Sequence, residues 1–167
     1  MGFFQRNIRS IVYGGLDGII TTFAVISSVI GASLSVSIIL ILGFANLLAD
    51  GFSMAAGAYL SEKAEREQKK QAAKAAKTAG WVTFLSFAFF GFLPLLPFVV
   101  GIFSDFIAQY VVVISVFTTF FTLMLLGIVK ANIVNVSKLR SVIEICVIGG
   151  IASIIAYGIG FVVSFLI

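Results

Sequence analysis

The sequence predicts an all-α integral membrane protein in which five transmembrane helices form a single domain. Three observations carry this. Apolar residues make up 60% of the 167 positions and charged residues 11%, too little polar surface to keep a water-soluble fold of this size dispersed. The apolar residues fall in blocks of about 20 or more, the length that crosses ~30 Å of hydrocarbon. All 11 Lys and Arg residues lie in three places, and an alternating path of five spans puts all three at one end of the bundle.

The first span, 10–33, follows Arg6 and Arg9 and is too long for the apolar core of a signal peptide. The second, 36–60, stops where Glu62 and Lys63 begin a charged stretch. The segment 61–79 is rich in Ala, Lys, Glu and Gln, and should extend the second helix into the cytoplasm. Glu62 precedes Arg66, and Glu65 precedes Lys69, by one turn in the favourable order. This is the pattern of a solvated helix, and a sharper reading makes Glu62 and Glu65, with Glu67, attract cations to a pore entrance. The third span, 82–103, holds Pro94 and Pro97, which should kink or break it. The fourth, 107–129, ends at Lys130, and the fifth, 142–167, begins with Glu144 placed to pair with Arg140. Short turns make spans one and two, and three and four, antiparallel hairpins. The basic residues orient the N-terminus to the cytoplasm. They are accounted for by that orientation and by anionic headgroups, so no nucleic-acid partner is expected.

The chemistry is concentrated in the first two spans. An Asp at mid-span is disfavoured by ~2.5–3.5 kcal/mol, which makes it a functional-site candidate by default. Asp17 and Asp50 both fall inside the membrane, with no Lys or Arg in any span to neutralise them. Such a carboxylate needs a proton, a polar neighbour, water or a bound cation. Asn46, Asp50 and Met54 recur every fourth residue and share one stripe of the second helix. The amide oxygen, the carboxylate and the thioether suit a transition metal better than Mg²⁺ or Ca²⁺. Small residues flank both carboxylates, and Gly14, Gly18, Gly51 and Gly57 are expected to let helices pack closely. The chain has no His and a single Cys, Cys146, in an apolar run, so a His/Cys zinc site is excluded. No phosphate-binding loop, nucleophile elbow or redox pair is present, and the chain does not read as an enzyme.

Two segments carry a resemblance. Tyr13-Gly14-Gly15-Leu16-Asp17-Gly18-Ile19-Ile20-Thr21-Thr22-Phe23-Ala24 resembles the first-span signature of the vacuolar iron transporter family. The stretch from Phe44 to Ser61, with its Ser53-Met54 core and its Gly57-Ala58-Tyr59-Leu60-Ser61 end, resembles the second. Gly91-Phe92-Leu93-Pro94-Leu95-Leu96-Pro97 is similar to the third span. The resemblance implies a five-helix protomer that forms a homodimer and exports Fe²⁺, and often Mn²⁺, from the cytoplasm in exchange for protons. By it Asp17 matches the metal and proton carboxylate and Met54 the metal-binding methionine. Asn46 stands where plant members carry glutamate, and Asp50, one turn on, is the candidate replacement. Ala58 stands where many members have an acidic or amide residue. About twenty residues join spans two and three, so the large cytoplasmic metal-binding domain of plant members is not there.

The expectation is therefore a metal transporter with Asp17, Asp50, Met54 and Asn46 as ligands and Asp17 and Asp50 as proton carriers. No permanent cofactor is expected, and Fe²⁺ or Mn²⁺ is the substrate. The alternatives are a Mn²⁺ or broad divalent-metal exporter, and a non-transporting scaffold or regulator that keeps the fold. The compact chain favours a prokaryotic plasma membrane over a vacuolar one.

Overall fold

A computed structural model describes residues 2–70 and 74–166. The elements are α1 (Phe3–Arg6), α2 (Ile8–Gly31), α3 (Val36–Gln68), α4 (Lys74–Gly101), α5 (Asp105–Val134) and α6 (Lys138–Ser164). The described residues contain no strand, and 5 of the helices, α2 to α6, are long and apolar enough to cross a membrane. The order of spans is the expected one.

The segment 61–79 is divided differently from the expectation. α3 continues only to Gln68, and the helix of the third span already starts at Lys74 rather than near Val82. Lys70 adopts a left-handed conformation, φ 53°, which ends a helix and begins the reversal. The Ala- and Lys-rich sequence from Lys74 has high helix propensity and belongs to the returning helix. Ser33 and Asn135 take the same left-handed conformation (φ 56° and 58°) between α2 and α3 and at the end of α5.

α2 is the axis of the bundle. It touches α3, α4, α5 and α6, and 56% of its apolar stretch is buried, against 22% for α3 and for α6. Its glycines make this possible. A Cβ on Gly14 would lie 2.5 Å from the Thr83 carbonyl oxygen, and one on Gly18 would collide with the carbonyl of Phe87. From the other side, a Cβ on Gly91 would lie 2.8 Å from the Gly18 carbonyl oxygen. The α2 and α4 backbones are therefore in direct contact, the small-residue packing that membranes favour. Gly51 packs in the same way against the rings of Phe84 and Phe87. Gly57 does not, because nothing lies within 4 Å of a Cβ placed there. Among the described residues its expected packing role is not met; it sits at the open end of the α3 stripe.

Phe87, Leu95, Phe98, Ile26, Val29 and Ile39 form one core cluster, and Ile19, Phe90, Leu123, Leu126 and Ile145 a second. Hydroxyls tie the helices together. Ser86 donates to the Ile11 carbonyl at 2.7 Å, Ser28 to the Ala156 carbonyl at 3.1 Å, and Ser115 to the Pro94 carbonyl at 2.8 Å. The last contact bears on the expected break at Pro94 and Pro97. α4 runs through both prolines without interruption, and neighbouring α5 is tied to the same stretch by the Ser115 hydroxyl on the Pro94 carbonyl. Glu144 also finds a different partner from the one expected. It accepts from Lys130 at 2.8 Å rather than pairing with Arg140, because the α5–α6 reversal brings the end of one helix opposite the start of the next.

Candidate functional site

The seam between α2 and α3 collects the candidate residues. Asn46 Nδ2 on α3 donates to Thr21 Oγ1 on α2 at 3.1 Å. Thr21 Oγ1 in turn donates to the carbonyl of Asp17 at 2.8 Å. This chain fixes the register of two antiparallel helices. One turn toward the basic end, the next positions on the two helices are Asp17 and Asp50; one turn further they are Tyr13 and Met54. Asn46, Asp50 and Met54 are all half-buried, as is Asp17, and Asn46 is the one of the α3 stripe that bonds to α2 among the described residues.

Among the described residues, neither carboxylate forms an ion pair or accepts a hydrogen bond from a protein donor. No three His, Cys, Asp or Glu side chains gather anywhere in them. A cation held here would therefore rest on two carboxylates completed by neutral O and S donors. Asn46 engages its amide nitrogen with Thr21, which leaves its oxygen as the atom able to reach an ion.

Met54 opens onto a cavity of about 370 Å³. Tyr13, Ser53, Gly57, Ala58 and Ser61 line it, and Arg9 and Glu62 stand at its far end. Gly57 thus leaves space where a larger side chain would fill the vestibule. Neither Asp17 nor Asp50 lines this cavity; Met54 lies between it and them. The vestibule is reached from the end of the bundle that carries the basic residues.

The candidate entrance carboxylates are occupied by local partners. Glu62 accepts from Arg66 at 2.6 Å and Glu65 from Lys69 at 2.5 Å, while Glu67 lies 3.7 Å from Lys63. Lys69 holds Glu65 below the usual carboxylate range, with Arg9 and Arg66 adding to the effect. Glu62 also lines the vestibule and Glu65 does not.

Thr21 and Tyr13 are the residues sequence reasoning did not single out. The antiparallel hairpin held the signal, since Thr21 lies one turn from Asp17 on the face opposite Asn46.

Comparison with known proteins places these features. The VIT family model matches residues 8–79 and 68–161. A vacuolar iron transporter of Toxoplasma gondii is 49% identical over 59 residues, 35% of this chain and 20% of the relative. One of Plasmodium falciparum is 40% identical over 62 residues, 37% of this chain and 23% of the relative. Vacuolar iron transporter 1 of Arabidopsis thaliana is 40% identical over 58 residues, 35% of this chain and 23% of the relative. Each match thus spans no more than about a quarter of the relative's length.

Proposed function

The chain belongs to the VIT family, and from that premise we propose that it is a transporter carrying Fe²⁺ out of the cytoplasm in exchange for protons. The observation that carries this reading is the α2–α3 seam. Asp17 and Asp50 occupy corresponding turns, Met54 lies one turn on, and a vestibule leads from Met54 to the basic end. The names of the relatives support iron as the cargo.

The mechanism follows from the chemistry of that seam. Fe²⁺ enters from the cytoplasmic end, where the positive-inside rule puts the N-terminus, and meets the Met54 thioether. Two carboxylates one turn further supply the anionic oxygen that offsets its dehydration. A carboxylate in an apolar setting does not stay bare, so release of the metal outward is coupled to uptake of one proton by each of Asp17 and Asp50. The protonated pair then resets toward the cytoplasm. Mn²⁺ takes the same donor set and is proposed as a second substrate. In this reading the protomer works as a homodimer, with the half-buried side of the seam facing the second copy.

Fe²⁺ uptake into proteoliposomes with an inside-acidic gradient tests this. Influx should require the gradient and collapse in Asp17→Asn and in Asp50→Asn. A non-transporting scaffold or regulator is the second reading, favoured by the pairing of Glu62 and Glu65 with Arg66 and Lys69 and by Asn46 and Ala58. Folded protein that carries neither Fe²⁺ nor Mn²⁺ above empty vesicles would establish it. As to location, the five apolar helices make this a multi-pass membrane protein. The relatives named above are eukaryotic and called vacuolar, which gives no support to a prokaryotic plasma membrane.

A further inference from the structure

A second cleft, of about 710 Å³, lies at the basic end between α1 and the adjoining ends of α2, α3 and α4. Arg6, Arg9, Arg66 and Lys74 line it, and Glu62 is the one carboxylate among its lining residues. That carboxylate is engaged by Arg66. Among the described residues, Arg6, Arg9 and Lys74 belong to no ion pair. Cations drawn together around one hollow repel unless an anion offsets them. The Ser10 and Thr78 side chains contribute hydroxyls to the same walls.

The surroundings identify the kind of anion. Phe3 and Phe4 on α1 are 50% and 64% exposed and pack edge to face at 5.8 Å, an apolar pair at the rim of a basic hollow. Trp81, 66% exposed, lies two turns along α4 from Lys74, about 10 Å deeper. An outward Trp at that depth marks the membrane interface, which sets the cleft at the level of the phosphates. The volume equals roughly twenty water molecules, far more than a bare phosphate fills and sufficient for a lipid headgroup.

We propose that this cleft binds the phosphate group of an anionic membrane lipid. Arg6, Arg9 and Lys74 make charge-assisted hydrogen bonds to the phosphate oxygens, and Phe3 and Phe4 lie along the acyl chains. The assignment is independent of what the seam transports.

Mass-resolved lipid binding to the purified chain in detergent tests it, with phosphatidate, phosphatidylcholine and inorganic phosphate as probes. Phosphatidate should bind more tightly than phosphatidylcholine. Arg9→Gln and Lys74→Gln should each weaken phosphatidate about five-fold, while Lys138→Gln, at the same end but outside the cleft, should leave it unchanged. Arg6→Gln, on the exposed α1, should act like Arg9→Gln and replaces it if that variant does not elute as folded protein. No preference for phosphatidate, or equal losses in Lys138→Gln, would overturn the site. Binding of inorganic phosphate without a response to phosphatidate would overturn the lipid assignment.

Discussion

Asn46 on α3 and Thr21 on α2 meet through a 3.1 Å hydrogen bond, and their contact sets which turns of the two helices oppose each other. Membrane hydrogen bonds of this kind contribute about 0.6 kcal/mol. Asn46→Leu should therefore lower thermal stability in detergent only slightly. Its transport should fall much further, because the register of Asp50 against Asp17 loosens. A transport loss no larger than the stability loss implies would show that the contact is merely structural.

Asp17→Asn and Asp50→Asn should leave stability unchanged or raise it. Each removes a carboxylate that no protein donor compensates, and unpaired charge in the membrane is destabilising by a few kcal/mol. Thermal unfolding beside the flux assay separates this from misfolding. A lower melting temperature in both variants would mean that the carboxylates hold the fold.

The glycines should divide into two groups. Gly18→Ala forces a methyl group into the Phe87 backbone, an overpacking that costs about 1–3 kcal/mol. Gly57→Ala has open space and should unfold with wild type, while narrowing the vestibule and slowing uptake. Melting curves for the two variants decide this.

Met54→Leu keeps the volume and removes the sulfur. The expected result is a several-fold rise in the Fe²⁺ concentration needed for half-maximal uptake, with protonation of the carboxylates unaffected. Equal kinetics would make Met54 a wall of the vestibule and not a ligand.

Lys130 and Glu144 pair across the α5–α6 reversal with side chains 25% and 56% exposed. Pairs as open as this contribute little, so Glu144→Gln should shift the melting temperature only slightly at low salt and by less at high salt. Arg140→Gln should alter the effect of Glu144→Gln less than Lys130→Gln does, which a double-mutant comparison reads directly.

The number and order of spans were legible because lipid demands helices that satisfy their own backbone, and length and hydropathy report those helices. The stripe of Asn46, Asp50 and Met54 was legible as well, since helical period is a property of one segment. What periodicity does not encode is the pairing between segments. Nothing in α2 or α3 alone indicates that Thr21 would take the Asn46 amide. Likewise, nothing near Glu144 indicates that Lys130, fourteen residues away, would be closer than Arg140. The prolines show the same boundary: the sequence predicts a kink or break, and α4 runs on through both. Gly14 and Gly57 look alike in sequence, and only the position of α4 separates a contact from an opening.

From the observed contact of Thr21 with Asn46, the shared pitch of α2 and α3 spaces two further rungs, Asp17 with Asp50 and Tyr13 with Met54, each about 5.4 Å from the next. In the transport we propose, an ion passing along them has oxygen or sulfur within one stride. Removing the middle rung doubles that stride to about 11 Å, a gap no inner-sphere ligand bridges. Damage there would then show itself as interruption, a sharp fall in turnover at every concentration, whereas loss of the Met54 end rung weakens capture alone.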